Sequence, residues 1–162
     1  MNPKYISQLW LKNIKKLDTK NKLRHGEIYA KDGSISDFSI NNNIVKAKVM
    51  GAPGDVYDVE IEFEKFTKLN IEYLTLYISN NFNIFSKLLN HQIDEELLHT
   101  KVKILPSSLK DFKMSCSCAK GLFCKHKAAV FHKIAYEIEK DPFLVFTLLN
   151  FNIKNLFLSE MN

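Results

Sequence analysis

In the stretch after Gly33, apolar and polar residues alternate cleanly over residues 45–49 and 57–64, and two-residue alternation is the period of a half-buried strand. Three strands are predicted, at about 35–40, 44–50 and 56–64, forming an antiparallel meander over about 34–64. Asn41-Asn-Asn43 makes the first turn, since asparagine tolerates the left-handed region, and Gly51-Ala-Pro-Gly54 makes the second. In the third strand Tyr57, Val59, Ile61 and Phe63 share one face, while Asp58, Glu60, Glu62 and Glu64 share the other. The second strand turns Val45, Ala47 and Val49 inward, leaving Lys46 and Lys48 outside to face those carboxylates across the strands. The acidic run therefore has a structural reading, as a solvated sheet face rather than a paired-carboxylate active site.

Elsewhere the period lengthens to that of a helix. Residues 3–30 read as an arm with helical turns, with Leu9, Trp10, Asn13, Ile14 and Leu17 recurring at three- and four-residue steps. From Phe66 to about Leu98 the chain is predicted helical, with one stripe at Leu69, Tyr73, Leu76 and Tyr77 and another at Phe82, Phe85, Leu88 and Leu89. Asp94-Glu95-Glu96 suits the first turn of a short helix. Pro106 stops the preceding element, and residues 112–115 read as a short strand. After Cys124 a helix is predicted whose buried stripe is Val130, Phe131, Ile134, Ala135 and Ile138. Asp141-Pro142 is a start signature for a last helix at about 143–149, and an apolar tail follows to Leu158. That tail either packs on the core or is offered to a partner.

The short strand delivers Cys116-Ser-Cys118, and five residues later comes Cys124-Lys-His126. These hold all three cysteines of the chain within eleven residues. Three thiols and an imidazole at this spacing suit a tetrahedral Zn²⁺ site, with sulfur at about 2.3 Å and nitrogen at about 2.0–2.1 Å. Gly121 lies in the intervening loop, where a tight knuckle calls for positive φ. Four protein ligands leave no open coordination position, so the expected metal is one structural zinc, held by Cys116, Cys118, Cys124 and His126. His132 is a weaker candidate ligand, because the Cys-x-His pair already completes the set. A reading of Cys118 or Cys124 as nucleophiles fails on the same ground, since metal-bound thiolates are occupied.

The segment from Cys116 to Val130, CSCAKGLFCKHKAAV, resembles the SWIM zinc finger family. The resemblance extends outward. Asp141-Pro-Phe-Leu-Val-Phe146 is similar to the DPFLLF of stand-alone prokaryotic members, Leu105-Pro106 to the LFP before their finger, and Trp10 with Arg24–Tyr29 to their W…RGxxY opening. Two positions depart from that pattern: Ala119-Lys120 stands where relatives have Pro-Asp, and Asn150-Phe151 where they have Arg-Gly. The first change makes the loop more basic. The resemblance implies a non-catalytic zinc module that binds DNA or protein, in prokaryotes in association with Snf2-type helicases.

Charge adds a partner class. The 162 residues carry a net charge of +5, but unevenly. Residues 1–26 hold seven basic side chains against Asp18 alone, and residues 101–133 hold eight against Asp111 alone. Clustered lysines are the footprint of a polyanion partner. Lys113, Lys120, Lys125, Lys127 and Lys133 are the candidate phosphate contacts within the finger. No apolar run is long enough for a membrane helix, no signal-peptide core opens the chain, and no disulfide framework remains, so a cytoplasmic setting without a membrane partner is expected. Phosphate-binding Gly-rich loops, GxSxG and HExxH are missing from the sequence.

Together these readings predict an α+β protein: a small three-stranded antiparallel sheet with helices in residues 1–100, then a zinc knuckle leading into a helix, with C-terminal helices, in residues 101–162. The expected function is non-enzymatic binding of nucleic acid, DNA foremost, together with or by way of a helicase-type protein. The competing expectation is a protein-interaction adaptor in which zinc is purely structural.

Overall fold

The computed structural model describes residues 2–160, with side chains through Leu158. Two N-terminal helices, α1 (Pro3–Leu17) and α2 (Lys22–Lys31), precede the meander β1 (Ile35–Asn41), β2 (Ile44–Met50) and β3 (Val56–Phe63). Helices α3 (Lys68–Ser79), α4 (Phe82–Leu89) and α5 (Glu95–Leu98) follow. A 3-10 turn at Leu109–Asp111 leads into β4 (Phe112–Cys116), then come α6 (Lys125–Lys140), α7 (Leu144–Thr147) and α8 (Ile153–Glu160).

The architecture is α+β, but the sheet has four strands rather than the three predicted, in the order β1-β2-β3-β4 and antiparallel throughout. The stretch foreseen as an isolated strand before Cys116 joins the meander instead, pairing Phe112 with Phe63 and Cys116 with Val59. Its pairing covers the ladder groups β3 would otherwise expose at the sheet edge. The partners are about fifty residues apart in sequence, so local periodicity carries no sign of the pairing.

Side-chain alternation in the meander matches expectation. Val45, Ala47, Val49, Val59, Ile61 and Phe63 are buried. On the outer face Lys46 and Lys48 sit opposite Glu60 and Asp58 in register, with ion pairs of 3.7 and 2.8 Å. These pairs are exposed, so they fix register more than they stabilise.

Helix α6 is the central element. It packs against α2, α1 and the inner face of β2, β3 and β4. Its predicted stripe is buried, and Phe131 meets Trp10 of α1, Phe112 of β4 and Phe123. Trp10 in turn meets Phe63. One aromatic cluster thereby ties the first helix, the sheet and the finger helix together.

The stripe predicted for α3 is turned the other way. Leu74 and Ile78 are buried, whereas Leu69 and Leu76 are exposed. Apolar residues surround almost the whole of this helix, so period alone does not select a face. On α4 Ile84 and Leu88 face inward, while Phe82 and Leu89 are exposed. Glu95 and Glu96 form the acidic first turn of α5, and Asp94, read as part of that turn, is its N-cap, accepting from the Glu96 N–H. Asp141 caps the start of the next turn by accepting from the Phe143 N–H. The apolar tail packs on the core through Phe151, Ile153 and Leu156. No helix among the described residues is long and apolar enough to cross a membrane.

Candidate metal centre

Cys116 ends β4, where pairing with Val59 sets its position. The chain then turns sharply. Ser117 donates its N–H to the Asp58 carbonyl, and the Ala119 N–H reaches back to the Cys116 carbonyl. Ala119 and Gly121 both adopt positive φ, at 53° and 76°. Gly121 does so as the sequence suggested; Ala119 does so at the cost its Cβ imposes.

Cys124 closes the loop as the N-cap of α6, its sulfur accepting from the Lys127 N–H at 3.4 Å. A thiolate there also faces the positive end of the helix dipole. His126 follows in the first turn. The donor atoms of Cys116, Cys118, Cys124 and His126 all lie within 4.8 Å of one another. Cys116 Sγ stands 3.6 Å from His126 Nδ1. For a tetrahedral zinc with ordinary bond lengths the S···N edge is about 3.6 Å, so the donor set and its spacing fit that metal.

The imidazole is oriented by packing. Tyr57 stacks on its face at 4.1 Å between centroids, and Tyr29 meets it edge-on at 6.2 Å. Nε2 is buried and has no hydrogen-bond partner among the described residues. It points toward Gly51, where a Cβ would stand 3.4 Å from Nε2 and 2.8 Å from the Tyr57 ring. Metal-bound histidines usually donate their second N–H to an orienting acceptor; here two aromatic rings and a bare glycine hold the ring.

The electrostatics separate the donors. Burial pushes the Cys116 thiol up to about 12. Burial acts in the same direction on Cys118 but is outweighed by the Lys120 backbone N–H, the neighbouring thiols and the Lys127 charge, so Cys118 lies below its ordinary value. Burial, with the charges of Lys125 and Lys120, pulls His126 down, which keeps the ring neutral and able to ligate.

The lysines singled out in the sequence divide by environment. Lys127 is 6% exposed, and its Nζ donates to the Gly121 and Leu122 carbonyls at 3.0 and 2.9 Å. Lys133 is paired with Glu137 at 3.0 Å and lies near the Phe38 ring. Lys113 is exposed on β4 opposite Glu62 in register. Lys120 and Lys125 are exposed and have no carboxylate partner among the described residues, and Lys125 lies over the Tyr29 ring at 5.4 Å.

His132 is set apart from the cluster, its Nε2–H donating to the Leu23 carbonyl of α2 at 2.7 Å. His91 and His99 face Asp141 and Glu95. Tyr57, Tyr29 and Gly51 went unnoticed in the sequence as supports of the site. The one signal was the place of Tyr57 at the inward end of the β3 alternation.

Residues 101–135 match the SWIM zinc finger family, which makes this part of the chain a zinc-binding module. The chain is also 25% identical over 130 residues to the uncharacterized protein Rv2102 of Mycobacterium tuberculosis, an alignment covering 77% of the chain and 47% of that protein. It thus spans about half the length of the curated relative it matches. No solved structure matches it.

Proposed function

With a SWIM zinc finger at residues 101–135 as the premise, we propose that the chain is a non-catalytic module that binds nucleic acid, with one structural zinc held by Cys116, Cys118, Cys124 and His126. The closed ligand set leaves the metal no position for water or substrate, so its work is to fix the loop and the start of α6.

The observation that carries the reading is the meeting of the two basic segments. Helices α1 and α2 pack on α6, which brings Lys22 and Lys125 to the walls of one groove. Neither is ion-paired, and none of the basic side chains in residues 1–26 pairs with a carboxylate among the described residues. Lys46 and Lys48 of β2, by contrast, are spent on Glu60 and Asp58. Lys22, Lys120 and Lys125 are therefore the principal phosphate contacts, with Lys113 alongside. Lys127 and Lys133 act through the fold. Backbone contacts of this kind carry no sequence information, so preference for sequence is weak and salt dependence steep.

The test is a salt titration of binding to duplex and single-stranded DNA by zinc-loaded protein. Affinity that falls steeply with salt and disappears on chelation supports the reading; binding indifferent to salt refutes it.

A second reading, docking to a protein such as an Snf2-type helicase, has its own observation. Leu69 and Leu76 of α3 are exposed, the first by 75%, and Phe82 at the start of α4 is 83% exposed. Exposed apolar groups of this size suit a protein contact. Polar substitution of Leu69, Leu76 and Phe82 would abolish partner capture and leave nucleic-acid binding intact if both readings hold.

A further inference from the structure

We infer that the groove between α2, the start of α6 and the turn after β2 receives an unpaired nucleobase, stacked on Tyr29, so that the module prefers single-stranded to duplex nucleic acid. This inference rests on the nucleic-acid reading above and specifies the form of the ligand.

The groove has a volume of about 740 Å³ and is lined by Lys22, Ile28, Tyr29, Met50, Gly51 and Lys125, among others. That lies within the usual range of small-ligand sites, about 300–1,000 Å³. Its walls combine two chemistries. Lys22 comes from the first basic segment and Lys125 from the second, and neither is paired with a carboxylate. Between them Ile28 and Met50 are 66% and 54% exposed, two large apolar side chains from different elements turned into one opening. Asp32 also lines the groove, its Oδ1 held by the Ser34 N–H and hydroxyl in the turn after α2.

A duplex keeps its bases stacked inside and offers phosphates, which the lysines could bind without the apolar walls. An unpaired strand offers phosphates and free π-faces together, and base stacking on an aromatic side chain beside a cationic track is how single strands are held. Tyr29 supplies that platform. Its ring is set edge-on against His126 at 6.2 Å, so the zinc centre fixes its orientation. Lys125 Nζ, 5.4 Å from the ring centroid, is anchored to no acid and can move to a phosphate as a base takes its place on the ring.

The experiment uses the full zinc-loaded chain with labelled oligo-dT, oligo-U and a mixed-sequence duplex, read by anisotropy, together with a 2-aminopurine strand read by fluorescence quenching. Wild type is expected to bind a single strand more tightly than the duplex and to quench 2-aminopurine; the oligo-dT and oligo-U arms distinguish DNA from RNA, and preference in either satisfies the inference. Tyr29→Phe should retain both signals. Tyr29→Leu, which keeps an apolar body against His126 but has no π-face, compared with wild type at equal, confirmed zinc loading, should weaken single-strand binding by roughly tenfold or more and abolish quenching, with duplex affinity unchanged. The double variant Ile28→Ser/Met50→Ser changes only exposed side chains and should weaken single-strand binding selectively as well. Equal affinity for both forms with no effect of these variants overturns the groove assignment while leaving nucleic-acid binding in place. Failure of the loaded protein to bind any of the three overturns both.

Discussion

A Cβ on Gly26 would stand 2.5 Å from the Cβ of Ala128 and equally close to the backbone nitrogen of Ala129. Helix α2 therefore crosses α6 with almost no side chain between the two backbones, and the small residues at 128 and 129 are the other half of that contact. Gly26→Ala sets two effects against each other. In a helix interior alanine is intrinsically favoured over glycine by about 1 kcal/mol. Overpacking against backbone atoms that cannot swing aside costs about 1–3 kcal/mol, and contacts this short belong at the upper end. Net destabilisation is expected, read as a lower urea midpoint with an unchanged slope.

Lys127 is charged yet buried, and its ammonium bridges the Gly121 and Leu122 carbonyls inside the knuckle. Lys127→Met keeps the aliphatic stem and removes both bonds. Zinc affinity, measured by competition with a chromophoric chelator, should fall about 10–100-fold, the usual consequence of losing an outer-shell support. Nucleic-acid binding at saturating zinc should remain. A loss of binding with no change in zinc affinity would instead make Lys127 a direct phosphate contact.

Tyr57 supports the same centre from the sheet, stacked on the His126 ring. Tyr57→Ala frees the imidazole to rotate and should also lower zinc affinity, whereas Tyr57→Phe should be neutral because the interaction is between ring faces. Equal losses in the two variants would point to the hydroxyl and away from the stacking.

What the sequence disclosed follows a physical division. The four donors and the meander were legible because their logic is local: ligand spacing within eleven residues, alternation within eight. The outward Lys46 and Lys48 and the inward Val59 and Ile61 follow from period alone. Residues 112–115 read as a strand, but their place as the fourth strand of the sheet did not show, because Phe112 and Phe63 become neighbours only through tertiary pairing. The face of α3 was misread because a helix apolar on nearly every side has no phase to read. Ala128 and Ala129 are small enough to permit a close backbone approach, but nothing local identifies Gly26 as its counterpart. The burial of Lys127 was equally hidden, since a lysine in a basic run looks solvated until the loop it holds is seen.

His132 offers a pH-dependent test of the α2–α6 contact. Its Nε2–H donates to the Leu23 carbonyl, and burial pulls its pKa below the usual value, against the opposing pull of that carbonyl and of Glu27, with Lys31 acting alongside burial. In the unfolded chain the imidazole titrates near about 6.5. The unfolded state thus binds the proton first as pH falls, and stability from this group is present above about pH 6.5 and lost as pH drops toward the folded value. His132→Gln keeps a donor of similar reach without titrating. Denaturation midpoints of wild type and variant should converge on acidification through this window, with wild type showing the steeper decline. Parallel curves would show that His132 does not titrate differently in the two states.

Charge reversal separates lysines that meet phosphate from those that hold the fold. Lys22, Lys120 and Lys125 have no acidic partner among the described residues, whereas Lys133 is bound to Glu137. A lysine on phosphate releases about one counterion, so each substitution at the first three should reduce the slope of log affinity against log salt by about 1 and weaken binding alike across sequences. Lys133→Glu should leave the slope unchanged and act on stability, by placing two carboxylates one helical turn apart. The measurement is the salt slope for each variant under equal zinc loading. A slope lowered by Lys133→Glu and untouched by Lys22→Glu and Lys125→Glu would move the phosphate track from the α2 side of α6 to the face near Phe38.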